Sequence, residues 1–286
     1  MNRLVKPIFQ VAAARSGTNL MGNILSRHED IAFLYAPKYV WRHGNAWHPD
    51  DCLTAEHARP RVVRYIHKQF SQYTRQRAKK RYYDHTQGNV LALPFISAVF
   101  PDCKMFHIIR DGIDNAASQR YRYMNPDVST LAAIRDRLPA IPLFDWPAYF
   151  PEFVNHVISR VRGDKYVYSM GPKIKDWKRL RREYDMLEYL AINWRECVTA
   201  ARTFGKTLPP NRYHEIRFEE LLSNPEAVLT RLLEFLELAP SEAMMSYART
   251  KIDPARKGQR RSKLSPQERD RVMMHIRDLL VELNMI

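Results

Sequence analysis

Ile8-Phe9-Gln10-Val11-Ala12-Ala13-Ala14-Arg15-Ser16-Gly17-Thr18-Asn19 is the stretch on which the fold turns. Its first five residues are short, apolar strand material. Beyond it Leu20, Met21, Ile24 and Leu25 recur at helical spacing, so the unit reads strand, turn, amphipathic helix. A turn between a strand end and a helix start presents unpaired backbone N–H groups at the positive end of the helix dipole, a geometry that binds phosphate or sulfate. Gly17 permits close backbone approach, while Ser16, Thr18 and Asn19 add side-chain donors. Arg15 adds a permanent cation whose fork matches an oxyanion. A plain strand-to-helix turn with a capping Ser or Thr would look the same at this level. The loop is not G-x-x-x-x-G-K-[ST], because Thr18 follows Gly17 and no Lys is present. Ordinary ATP and GTP hydrolases lose weight accordingly.

A second unit of the same kind follows. Cys103 to Ile109 is strand-like, Arg110-Asp111-Gly112 turns, and Ile113 to Tyr123 reads as helix with Asp111 placed to cap it. Ile31 to Leu34 reads as another short strand, Arg61 to Arg81 as a strongly basic helix, Leu187 to Phe204 as a helix and Tyr213 to Phe218 as a strand. Tyr35 to Asp51 has no clean period and reads as a loop. Asn125 to about Lys175 is the least patterned region and reads as an insertion or lid. Ser223-Asn224-Pro225-Glu226 and Ser265-Pro266-Gln267-Glu268 both place Ser three residues before Glu, the signature of a helix start. Strands alternating with helices imply an α/β fold with a parallel sheet covered on both faces.

Composition sets the bounds. With 286 residues, 45% apolar and 27% charged, the chain has ample material for a core, which excludes a wholly disordered chain, collagen and a disulfide mini-scaffold. Nine glycines leave no flexible linker, so residues 1–286 read as one domain. Cys52, Cys103 and Cys197 are odd in number, far apart and lack C-x-x-C spacing, which points to a reducing, cytoplasmic setting and away from a disulfide framework or structural zinc. The first residues lack the apolar run of a secretory signal, and no window approaches a membrane span. Lys and Arg number 46 against 31 Asp and Glu, a net charge of +15 that attracts anions of some kind or serves solubility.

The two turns together resemble the sulfotransferases that use 3′-phosphoadenosine 5′-phosphosulfate. Their first signature is a strand followed by P-R-S-G-T-T or K-S-G-T-T, which clamps the 5′-phosphosulfate; residues 14–19 read A-R-S-G-T-N. Their second signature places an Arg at a later strand end and a Ser eight residues on, both gripping the 3′-phosphate; here these are Arg110 and Ser118, with Gly112 where Pro is usual. Phe218-Glu219-Glu220-Leu221 is similar to the family's Y-E-D-L corner, with Phe218 standing either beside the nucleotide or in the core. Arg256-Lys257-Gly258 is similar to the family's R-K-G, a further 3′-phosphate contact. The resemblance implies a three-layer, P-loop-like fold and transfer of a sulfuryl group to a hydroxyl or amine of a carbohydrate, lipid, peptide tyrosine or small phenol. It also implies adenosine 3′,5′-bisphosphate as product, no metal, and Arg15 as the cation that stabilises charge on the leaving phosphate oxygen.

Relatives with this loop carry a Glu base after the second strand, but here Phe33-Leu34-Tyr35-Ala36-Pro37-Lys38 has Ala36 in its place. Either another residue serves, or the acceptor needs little help, or the position is altered so as to disable turnover. His43, His48, Asp84 and His85 are the nearby candidates. Tyr82 to Asn89 resembles the family's E-K-T-P-x-N segment, keeping Thr86 and Asn89. Trp41 to Trp47, with Phe144, Trp146, Tyr149 and Phe150, could wall an acceptor pocket or pack under a long loop. Two rival readings remain: a nucleic-acid or polyanion module resting on Arg75 to Arg81 and Lys178 to Arg182, and a nucleotide-dependent kinase with an atypical loop. No recognition motif accompanies the basic runs.

Overall fold

The structure, a computed structural model, describes residues 4–125 and 171–286. Among these, five strands form one all-parallel sheet: β1 (Ile8–Val11), β2 (Ile31–Leu34), β3 (Arg81–Asp84), β4 (Lys104–Ile109) and β5 (Tyr213–Arg217). Their order is β2-β3-β1-β4-β5. Ile8 lies opposite Lys104 on one side and Tyr83 on the other, which makes β1 the central strand. The sequence has these strands except β3, whose Arg81 falls at the end of the predicted basic helix. That helix, α3, spans Pro60–Gln76 and stops short, and the chain re-enters the sheet as Arg-Tyr-Tyr-Asp. β3 escapes the usual apolar pattern because Arg81 and Asp84 find hydrogen-bond partners within the fold. Arg81 donates to the carbonyls of Lys6 and Leu236.

Alternation along each strand sorts the core onto two faces. Phe9, Val11, Tyr82, Met105 and Ile109 face the helices α3, α4 (Leu93–Val99), α5 (Gly112–Met124), Met186–Gly205 and Pro266–Glu282. Ile8, Ala12, Tyr83, Phe106, Ile108 and Ile216 face α1 (Thr18–Leu25) and the helices Phe218–Ser223, Pro225–Leu236 and Glu242–Lys251. Helices on both faces of a parallel sheet give the expected three layers.

Details of the helix ends depart from the sequence pattern in one case. Ser265 and Glu268 form the expected reciprocal capping box. Ser223 instead ends the preceding short helix, its hydroxyl bonded to the Glu219 carbonyl, and Asn224 stands at the cap of Pro225–Leu236. The loop predicted over 35–51 contains a helical turn, Lys38–Trp41, whose Trp41 is buried and hydrogen-bonded to Asp84. Arg42 closes the rest of that loop by donating to the carbonyls of Asp50 and His48. Among the described residues no helix is long and apolar enough to cross a membrane.

β1 leads through α1 to β2 on one side, whereas β4 leads onward to β5 on the other. Neighbouring strands whose connections diverge open a crevice at their carboxyl ends. Both signature turns lie on that crevice.

Candidate active site: two anion-binding turns at the carboxyl edge

The first turn takes left-handed backbone in two places. Arg15 has φ 63° and Gly17 φ 88°, both left-handed. At Gly17 a Cβ would lie 2.4 Å from the Phe218 ring, so glycine is required by both torsion and space. Gly17 is the N-cap of α1 and gives no side-chain cap, so no side chain caps the first-turn N–H groups. Thr18 is buried and Asn19 exposed at that helix start. Ser16 turns inward: it is 0% exposed, and its Oγ accepts from Asn115 Nδ2 at 3.0 Å.

The second turn is bonded to the first. Arg110 donates through Nη1 to the Arg15 carbonyl at 2.8 Å, and through Nε and Nη2 to Asp114 at 2.9 and 2.5 Å. Its guanidinium lies over the Phe218 ring at 4.9 Å. Phe218 is thus a core side chain that also fills the space between the two turns. Asp111 caps α5 as expected, accepting from the Asp114 N–H at 2.8 Å. Ser118 is buried two turns along α5.

Arg256, Lys257 and Gly258 lie on an exposed stretch, with Arg256 3.7 Å from Asp253 and Gly258 at φ 65°. The stretch docks on α5 a few residues further on. Asp114 Oδ1 accepts from the N–H groups of Arg260 and Arg261 at 2.8 and 2.9 Å, and the Arg260 guanidinium stacks on Tyr121 at 3.7 Å. Arg260 therefore joins Arg15 and Arg110, although no signature pointed to it. Desolvation, followed by repulsion from Arg110 and Arg122, holds the Arg15 guanidinium below the usual arginine range; Arg260 adds to the repulsion. Cations gathered against their own repulsion make this surface locally positive.

The four base candidates separate clearly. His43 stacks on Tyr65 at 3.7 Å between centroids, and His48 pairs with Asp50 at 3.3 Å. Asp84 is buried and accepts from Trp41, Tyr82 and the Thr86 N–H. Burial pushes its carboxyl up to about 6, against the pull of those bonds. His85 differs from all three. It is 3% exposed, yet neither ring nitrogen has a hydrogen-bond partner. Its ring lies against α1 where Gly22 leaves room, a Cβ there coming within 2.7 Å of Cδ2 and 2.9 Å of Nε2. Gly22 is one helical turn beyond Thr18, which opens α1 just after the first turn. Tyr35, half exposed, sets its edge against His85 at 5.0 Å. Ala36, in the position of the missing Glu, is held at φ 42°. Trp47 is exposed, whereas Phe144, Trp146, Tyr149 and Phe150 lie outside the described residues.

Asp84 gives a pH-dependent stability of predictable sign. An unfolded Asp ionises near 3.9, whereas the folded carboxyl ionises at about 6. Between those values the native state holds more protons, so stability is greatest at the acid end and falls as pH rises. Thermal unfolding of wild type and Asp84→Asn from roughly pH 4 to 7 should show the wild type losing ground with rising pH relative to the variant. Parallel curves would contradict this.

The sulfotransferase family's sequence model matches residues 7–141 and 156–242. No curated protein sequence matches the chain. Among solved structures, the sulfotransferase domain from the curacin biosynthetic pathway aligns with a TM-score of 0.54 at 14% identity, covering 96% of this chain and 98% of its own. The sulfotransferase domain of the Synechococcus PCC 7002 olefin synthase gives 0.53 at 16% identity, covering 94% and 95%. A sulfotransferase from Mycobacterium avium gives 0.52 at 10% identity, covering 98% and 77%. Likeness at such identities speaks for the fold. The family model, spanning both turns and the strand that follows them, speaks for membership: the chain belongs to the sulfotransferase family.

Proposed function

We propose that the chain transfers the sulfuryl group of 3′-phosphoadenosine 5′-phosphosulfate to an acceptor hydroxyl or amine. The observation that carries this is the joining of the two turns, Arg110 to the Arg15 carbonyl, at the carboxyl ends of adjacent strands β1 and β4. Two anion sites in one crevice suit a nucleotide with phosphates at both 5′ and 3′ positions. The first turn, with Arg15, Gly17, Thr18 and Asn19, takes the 5′-phosphosulfate, and Ser16 frames it. Arg110, Ser118 and the 256–261 stretch take the 3′-phosphate, with Arg256, Lys257 and Gly258 as the family motif and Arg260 added by the fold.

Sulfuryl transfer needs little covalent work from the protein; positioning and charge stabilisation dominate, as in phosphoryl transfer. The acceptor oxygen bonds to sulfur, the bond from sulfur to the bridging phosphate oxygen breaks, and its electron pair stays on the phosphate. Arg15 and the N–H groups of α1 meet that charge. His85 takes the acceptor's proton and releases it to solvent. A neutral ring suits this task, and burial lowers the His85 pKa below its ordinary value. Entry of the acceptor displaces the half-exposed Tyr35 ring.

The test is a ligand comparison by thermal shift. Adenosine 3′,5′-bisphosphate should stabilise the protein far more than ATP, with or without Mg²⁺. Preference for ATP with Mg²⁺ would favour a kinase. Strongly salt-dependent oligonucleotide binding, indifferent to the bisphosphate, would favour a polyanion module.

A further inference from the structure

Asn115 lies in the interior of α5, wholly buried, and its side-chain amide spans the underside of the first turn. Nδ2 donates to the Ala14 carbonyl at 2.9 Å and to Ser16 Oγ at 3.0 Å. A carbonyl can only accept, so the nitrogen must face it and the amide has one orientation. Its Oδ1 accepts from Gln119 Nε2 at 2.8 Å, one turn further along the helix and equally buried. Asp111, Asn115 and Gln119 recur at four-residue spacing, a polar stripe through a buried helix.

Left-handed backbone at a non-glycine residue costs about 1 kcal/mol or more and persists only where the surroundings over-determine it. Arg15 is such a residue, and holds reach the turn on three consecutive residues. Asn115 holds Ala14 and Ser16, and Arg110 holds Arg15. Every one of these holds starts from the second signature. The shape of the first anion turn is therefore imposed from the second.

We infer that Asn115 is a positioning residue for the donor's 5′-phosphosulfate: it fixes the strained turn in its anion-binding form before the nucleotide arrives, with Gln119 holding the amide from behind. The inference rests on the donor reading above and adds a residue that touches neither nucleotide nor acceptor. Pre-formed donors spend no ordering entropy on binding. Removing the hold should cost affinity at the 5′ end alone.

Three probes separate the two ends: adenosine 3′,5′-bisphosphate, adenosine 5′-monophosphate and adenosine 3′-monophosphate, each titrated calorimetrically. In Asn115→Leu, a neutral change of similar size that takes a partner from the Ala14 carbonyl, Ser16 Oγ and Gln119 Nε2, the two 5′-phosphate ligands should bind about tenfold or more weakly. The 3′-monophosphate should stay within about twofold, because Arg110 keeps its bonds to Asp114 and a factor of two is well under 1 kcal/mol. Asn115→Ala, which leaves room for a water to take over both bonds, should lose less than Asn115→Leu. Gln119→Leu should shift affinity in the same direction by a smaller factor. Unfolding of the empty proteins, followed alongside, keeps a folding defect apart from a binding one; Asn115→Ala carries the test if Asn115→Leu does not fold. Equal losses for 3′- and 5′-monophosphate, or unchanged 5′ affinity in a folded variant, would overturn the inference. If the wild type binds none of the three probes, the donor reading itself falls, and this inference with it.

Discussion

Arg15→Ala is expected to lower sulfuryl transfer from labelled donor by about 10²- to 10³-fold, the usual loss when one donor to a developing oxyanion is removed. The guanidinium is the permanent cation at the first turn, where the proposed donor reading puts the leaving phosphate oxygen. The same variant should not destabilise the empty protein. Arg15 is repelled by Arg110, Arg122 and Arg260, so its removal relieves like-charge crowding while the site is unfilled. The diagnostic pair is therefore a collapsed rate, with a diminished thermal shift on adding adenosine 3′,5′-bisphosphate, and an unfolding temperature that does not fall. Near-wild-type turnover in Arg15→Ala would sink the assignment of the first turn.

His85→Gln should lower turnover by about 10²- to 10⁴-fold, the range for loss of a positioned general base, while leaving bisphosphate affinity intact. The size of the loss should track the acceptor. With 4-nitrophenol, about half ionised near neutral pH, a base has far less to do than with unsubstituted phenol, where it has the whole proton to move. A penalty equal for both phenols would point to a packing role. The pH profile supplies a second check. The imidazole must be neutral to act, and its pKa lies below the ordinary histidine value, so wild-type activity should fall only on the acid side of that value. The groups packed against the ring are Gly22, Phe33 and Tyr35, and Asp84 precedes it in β3. Since Asp84 titrates at about 6, Asp84→Asn serves as the control: it should keep the acid limb that His85→Gln removes.

Much of the frame was legible along the chain. Ile8 to Val11 and Lys104 to Ile109 are short, apolar runs closed by turn residues, and each leads into a helical period. β3 was hidden for a physical reason. Arg81 and Asp84 sit in a strand with partners that no local pattern reveals: the carbonyls of Lys6 and Leu236 for Arg81, and Trp41 for Asp84, all distant in sequence. The same holds for the proposed base. His43, His48, Asp84 and His85 are equivalent as letters; packing gives three of them partners and leaves both nitrogens of the fourth without one. Arg260 and Asn115 were missed because their partners, Asp114 and the Ala14 carbonyl, are 146 and 101 residues away. The four-residue spacing of Asp111, Asn115 and Gln119 was the one local sign of the latter.

The sequence by itself determined the layered α/β class, the order of the two turns and the cations at each, because periodicity and turn chemistry are local. Tertiary structure alone decided how the two turns are joined. Arg15 and Arg110 are 95 residues apart, and only the pairing of β1 with β4 brings the Arg110 guanidinium to the Arg15 carbonyl. Which polar groups are left over for substrate was likewise decided there. Most buried donors and acceptors find partners in the fold, so which few are left without one depends on the whole chain's packing and not on any local stretch.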